Sequence, residues 1–135
     1  MNLSSAMTIA AAGMRAQSAR LQVTAENLAN AESTGLSPGE DPFRRRTVSF
    51  AEKRDRATGV ELVGVSRYGL DASPFELRHE PGHPAADADG NVKYPNVNPL
   101  IELVDMREAQ RSYEANLNAL QLARSMIGRT LDLLR

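Results

Sequence analysis

Two histidines four residues apart, His79 and His83 in the run HEPGH, are the first residues here that could do chemistry. On a helix, that spacing would put two imidazoles on one face, as a zinc site needs. Pro81 and Gly82 lie between them and break a helix, so both histidines read as turn or packing residues. Asp87, Asp89 and Asn91 alternate as at the start of a calcium loop, but the position that needs a bidentate Glu holds Asn98. An Asp-Gly turn is the better reading. Arg44, Arg45 and Arg46 could meet phosphates. Only Phe43 adjoins them as an aromatic, and Glu40 and Asp41 precede them. They read as a solvated strand or as cations for an acidic neighbouring subunit. Ser4, Ser5 and Ser18 have no nearby His and Asp and no nucleophile elbow, so serine catalysis has no support. The chain has no Cys, which removes disulfides, thiol catalysis and Cys-ligated zinc. These residues predict no enzyme, no metal and no cofactor.

Composition narrows the classes further. A formal net charge of −1 argues against a nucleic acid or acidic membrane as the main partner. Lys53 and Lys93 are the only lysines. Arg suits interfaces because its planar fork binds carboxylates bidentately, and a GC-rich genome accounts for the bias equally well. Aromatics are 4% and Trp is absent, which fits a layered contact of Leu, Met, Ile and Ala better than one large core. No apolar run approaches the ~20 residues of a membrane span. No basic segment precedes an apolar one, so export would use a route without a cleaved signal.

The elements that must position these residues begin and end the chain. Met7, Met14, Leu21 and Leu28 recur every seven residues near the start, and Met106, Tyr113, Leu120, Ile127 and Leu134 do so near the end. Leu103, Leu117 and Leu131 form a second row, with Leu122 and Met126 as a further strip. Residues 3 to about 31 predict a helix with Asn2, Ser4 or Ser5 as N-cap. Gln17 and Thr24 interrupt its stripe, and Ala6, Ala11, Ala12, Gly13 and Ala16 flank it. Asn27 and Asn30 read equally as interface hydrogen-bonders or as C-terminal capping residues, and Gly35 as a left-handed stop. Residues 99–134 predict a second helix. Asn98 caps it, Pro99 takes the first position, and Glu102 and Asp105 sit where the helix dipole favours anions. Between them, residues 43–50, Val60–Arg67, Phe75–His79 and Val92–Tyr94 predict short extended segments among turns.

The expected fold is therefore mainly α: an antiparallel coiled coil of two long helices with a small β-containing, loop-rich insertion. Residues 1–35 form the first helix, 36–98 the insertion and 99–135 the second helix, as one structural unit. The coiled-coil residues are Met7, Met14, Leu21, Leu28, Met106, Tyr113, Leu117, Leu120, Ile127 and Leu131. Periodicity alone serves a monomer core and an assembly surface equally.

A family resemblance separates the two. GMRAQS at Gly13–Ser18 and AENLANA at Ala25–Ala31, with Asn27, Leu28, Ala29 and Asn30 at its centre, resemble the N-terminal signature of the flagellar rod and hook proteins. SYEAN at Ser112–Asn116 resembles the family's terminal helix. The middle is similar to the proximal-rod type through PGHP, DADG and YPNVN, which include Pro81, Gly82, Asp87, Gly90, Tyr94, Pro95 and Asn96. The resemblance implies a non-enzymatic drive-shaft subunit of the basal body, lying in the periplasm. It implies contacts with copies of itself, with the rod proteins FlgB, FlgF and FlgG, and with the rod-base adaptor FliE. It implies export through the flagellar type III apparatus without a cleaved signal. Termini that cannot bury their stripes alone would then fold on joining the growing tip. Another axial protein of the family, or a free-standing coiled-coil adaptor with one partner helix, is the alternative.

Overall fold

Asn2 and Asn98 start the two helices of the computed structural model, which describes residues 2–134. Asn2 Oδ1 accepts the Ser5 backbone N–H at 2.7 Å and its hydroxyl at 2.8 Å, satisfying donors the first helical turn leaves open. Helix α1 runs Leu3–Ala29. It ends where Asn30 Nδ2 turns back onto the Glu26 carbonyl at 2.9 Å and Asn30 Oδ1 accepts the Ser33 hydroxyl at 3.1 Å. Helix α2 runs Pro99–Leu133, with the Leu100 N–H donated to Asn98 Oδ1 at 3.1 Å.

Four strands lie between them. β1 (Arg46–Arg54) and β2 (Glu61–Leu70) form one antiparallel sheet, and β3 (Glu76–His79) and β4 (Asn91–Tyr94) another. The first hairpin closes through Asp55, whose N–H meets the Val60 carbonyl and whose carbonyl takes the Gly59 N–H, both at 2.8 Å. Gly59, at φ 71°, occupies the left-handed region that a side chain would disfavour. The second pairs Glu76 with Tyr94 and His79 with Asn91, and buries Val92 with Ala85 and Tyr94.

The chain forms two compact units. Unit 1 comprises Met1–Leu21, Val48–Arg67 and Arg107–Arg135, and unit 2 comprises Gln22–Thr47 and Tyr68–Met106. Each helix contributes its terminal part to unit 1 and its inner part to unit 2.

The expected coiled coil with a loop-rich insertion does not hold. The middle is ordered β structure: strands of nine, ten, four and four residues account for much of it. β1, RTVSFAEKR, begins inside the extended segment expected over 43–50 and continues to Arg54, because a two-stranded ribbon satisfies its backbone by pairing and leaves many side chains in water. The polar stretch after Phe50 completes β1 as far as Arg54 and then supplies the turn. Nor is the helical packing a Leu and Met zipper. The fully buried apolar residues of the helices are Ala10, Ala12, Ala16, Val23, Ala109 and Ala123. Gly35 also differs from expectation: its φ is not positive, and its hydrogen is needed because a Cβ would stand 2.7 Å from the Glu40 Cβ.

Candidate functional site

In unit 1 the two helices run antiparallel at close range. A Cβ on Gly13 would lie 2.8 Å from the Asn116 amide, and Arg20 reaches Glu108 at 3.5 Å about two turns further along. Small residues permit this approach, and the larger heptad residues are pushed to the edges of the seam. Met7, Met14, Leu21, Tyr113, Leu117, Leu120 and Ile127 are half-buried, and Leu131 is 60% exposed. Met14, Tyr113 and Leu120 come together on a hollow of about 340 Å³ with Ala11, Arg15 and Ser18. Leu122, Met126, Leu133 and Leu134 face solvent. Gln17, the weak point of the stripe, keeps its Oε1 buried without a hydrogen bond among the described residues.

Unit 2 is closed by polar groups. Glu102 is 1% exposed, and its carboxylate is paired with the Arg45 Nε. The same guanidinium lies 3.5 Å from Asp71 and 3.9 Å from Asp105. Burial works against the Arg45 charge, but the Glu102 hydrogen bond and the three carboxylates outweigh it and raise its pKa. The Ser73 hydroxyl and N–H, with Arg45 behind them, hold the Asp71 carboxyl below its ordinary range. Asn27, also 1% exposed, pairs with β1 as a neighbouring strand would. Its Nδ2 donates to the Arg46 carbonyl at 2.9 Å, and its Oδ1 accepts the Arg46 N–H at 2.8 Å. Asn27 Nδ2 also reaches Glu102 at 3.3 Å. Asn96 accepts the Arg45 N–H at 2.8 Å and donates to the Asp71 and Ser73 carbonyls, each at 3.1 Å. Arg44 donates to the same two carbonyls and stacks 4.2 Å from the centre of the Phe75 ring.

Of the arginine run, Arg46 is exposed at the start of β1, as a solvated strand residue would be, and Arg44 and Arg45 are half-buried against this chain's own groups. Arg44 and Arg45 lock the loop after β2, and Arg46 pairs with Glu26 at 2.9 Å. Asn27 is an internal strap, Asn30 a helix-end residue, Leu28 half-buried and Ala29 exposed. Met106 sits half-buried. Glu102 lies in the first turn of α2, as the dipole argument expects, and is also internal. Its position seven residues before the fully buried Ala109, on the inner face of α2, is the signal that marks it as internal.

The proline-rich middle is equally internal. Tyr94 is buried, donates its hydroxyl to Glu80 at 3.0 Å and carries the Arg78 guanidinium 4.0 Å above its ring. Burial, reinforced by Glu80, pushes the phenol pKa up. Pro95 is buried, and Pro81 and Gly82 are exposed in the turn. His83 Nδ1 accepts the Ala85 N–H at 3.0 Å, and His79 Nδ1 stands 3.4 Å from Asn91 Oδ1. Asp87 Oδ1 accepts the N–H groups of Asp89 and Asn91, each at 2.9 Å, and Gly90 turns at φ 80°. Among the described residues, no group of three or more acidic or histidine side chains could hold a metal. No helix there is long and apolar enough to cross a membrane.

Residues 88–133 match the family described as flagellar basal body rod FlgEFG protein C-terminal. The chain is 51% identical over 133 residues to the flagellar basal-body rod protein FlgC of Agrobacterium fabrum, covering 98% of this chain and 96% of that protein. It is 43% identical to FlgC of Salmonella typhimurium over 127 residues, 93% of this chain and 92% of that one. With FlgC of Borreliella burgdorferi the identity is 32%, over 100% and 99% of the two chains. Identity of this extent, running through both helices and all four strands, makes the chain a member of the FlgC family of flagellar basal-body rod proteins, which are structural components and not enzymes.

Proposed function

We propose that the chain is a proximal-rod subunit that polymerises through the outward faces of its two helices and transmits torque along the shaft. The observation that carries this reading is the apolar surface the internal seam leaves uncovered. Leu122, Met126, Leu131, Leu133 and Leu134 in unit 1 are 47–87% exposed, and Leu100, Ile101, Leu103 and Val104 in unit 2 are exposed as well. Fully burying one such side chain contributes ~1.5–3 kcal/mol, so rows of them favour neighbours on several sides. The half-buried edge residues Met7, Met14, Leu21, Leu28, Met106, Tyr113, Leu117, Leu120 and Ile127 would complete these contacts.

Family kinship supports the finer assignments. The neighbours are copies of the chain, the rod proteins FlgB, FlgF and FlgG, and the adaptor FliE. The subunit reaches the periplasmic shaft through the flagellar type III apparatus without a cleaved segment, so subunits recovered from purified basal bodies should have unprocessed mass. Leu131→Asp and Leu120→Asp, expressed in a strain lacking the chain, should each abolish incorporation and swimming, because burying an unpaired charge is costly. Leu131 is exposed, so its variant should keep wild-type circular dichroism. Normal swimming by the Leu131→Asp strain would overturn the helix-packing mode of assembly.

A further inference from the structure

The net charge of −1 conceals a segregation. Unit 1 carries eleven Arg and Lys against six Asp and Glu, a formal +5, and unit 2 carries five against eleven, a formal −6. In unit 1 the cations gather at the closed end of the β1–β2 hairpin. Arg15 of α1 and Lys53, Arg54 and Arg56 line a hollow of about 490 Å³ with an apolar floor of Ala12, Leu62 and Val63. Asp55 is the one acid in the lining, and its carboxylate is taken up by the Thr58 N–H at 3.1 Å and hydroxyl at 2.6 Å. Arg54 spends one donor on the Gly59 carbonyl at 3.2 Å. Arg15, Lys53 and Arg56 are exposed and make no hydrogen bond or ion pair among the described residues. Glu52 and Glu61 belong to the same hairpin but do not line the hollow.

Unit 2 presents the opposite sign on a turn of fixed shape. The connection between β3 and β4, residues 80–90, holds Glu80, Asp87 and Asp89 and contains no Lys or Arg. Asp87 fixes the turn through two backbone N–H groups, and Asp89 projects into solvent. Such a turn loses little freedom on docking.

We propose that, in the polymer, the basic hollow of one copy receives the acidic β3–β4 turn of the next copy. The proposal rests on the rod-subunit reading above. Donor and receiver are different surfaces, so the contact is head-to-tail and lets each copy receive the next. Basic-on-basic and acidic-on-acidic docking repel, which gives the contact a single direction, and the exposed apolar rows supply the affinity.

Charge reversal in the full-length chain, expressed in a strain lacking it, tests the proposal. Lys53→Glu with Arg56→Glu reverses the hollow. Asp87→Asn with Asp89→Arg removes the turn's negative charge and puts a cation at its exposed position 89, and the Asn keeps the acceptor that shapes it. Each pair alone should lower recovery of the chain in purified basal bodies by roughly tenfold, several exposed ion pairs being lost together. All four changes in one chain set the new cation of the turn against the new acids of the hollow across copies and should restore recovery and swimming. Wild-type recovery with either pair would overturn the proposal. So would a four-fold variant no better than the pairs, because the hollow then receives another acidic protein. Lys53→Gln with Arg56→Gln provides a milder arm should the reversed hollow fail to fold, and undiminished recovery there also counts against the contact. Swimming by the strain lacking the chain altogether would instead remove the rod-subunit reading.

Discussion

Unit 1 and unit 2 each join part of both helices to β structure, and they do so with opposite chemistry. Unit 1 brings its helices together over Gly13, Ala10, Ala12, Ala16, Ala109 and Ala123, with the Asn116 amide against Gly13. Unit 2 joins Asn27, Arg45 and Glu102. A seam of small residues gains from close approach but displaces the large apolar side chains outward. A polar lock has few satisfied geometries, and it needs nothing from outside because its donors and acceptors are matched within one unit. The difference suits a polymer subunit, whose outer surface must stay adhesive while part of it holds its shape alone.

Breaking the lock should have the largest effect. Glu102→Ala leaves Arg45 facing only its longer contacts to Asp71 and Asp105, and should cost ~3–5 kcal/mol in urea unfolding of the full chain. A loss under ~1 kcal/mol would show that apolar burial, not the ion pair, holds unit 2. Asn27→Ala unpairs the Arg46 N–H and carbonyl and should cost ~2–3 kcal/mol on the same assay. In the seam, Gly13→Val drives a side chain into Asn116, with an expected cost of ~1–3 kcal/mol. Asn116→Ala should recover most of it, and no recovery would place the tight contact elsewhere.

Acid distinguishes the two chemistries more gently. The folded Asp71 carboxyl lies below its ordinary value of 3.8, chiefly through the Ser73 hydroxyl, so its stabilisation is complete above that value. It fades as pH falls through the lowered folded value. Melting temperature should therefore be flat near neutrality and fall below about pH 4, with a shallower fall in Asp71→Asn. Asp55 and Glu40 are lowered too, by Thr58 and by the Leu36 and Ser37 amides, so Asp71→Asn removes only a share of the slope. The smallest change expected is a gain. Gln17→Leu replaces an unpaired buried acceptor and should add ~1 kcal/mol of stability. A loss there would mean that Gln17 has a partner in the folded chain.

Much of the scaffold was legible in the amino-acid order. Helix ends announced themselves at Asn2, Asn98 and Pro99 because capping is local chemistry. The segments around Val63, Leu77 and Val92 became strands as alternation and turn residues foretold. The end of β1 beyond Phe50 was less legible, because charged strands obey backbone pairing rather than burial. The heptad residues were legible as a pattern but not as a depth. A heptad of Met and Leu predicts buried knobs, yet alanines two or three positions away let the helices close first and leave those knobs at the edge.

The sequence by itself determined where the helices start, that Asp87 and Gly90 make a turn, and, through its Asn-Leu-Ala-Asn and Tyr-Pro-Asn signatures, the family. Those depend on neighbours within a few residues or on an inherited order of residues. Only the tertiary structure decided that three consecutive arginines face three different tasks, that Glu102 is internal, and that the charges divide into a basic and an acidic unit. Each of these brings together residues far apart in the chain, as the Asn27 contacts to Arg46 and Glu102 do across 19 and 75 positions. Side chains that far apart acquire their partners only when the chain closes, and burial then decides which charges must pair and which remain for a neighbour.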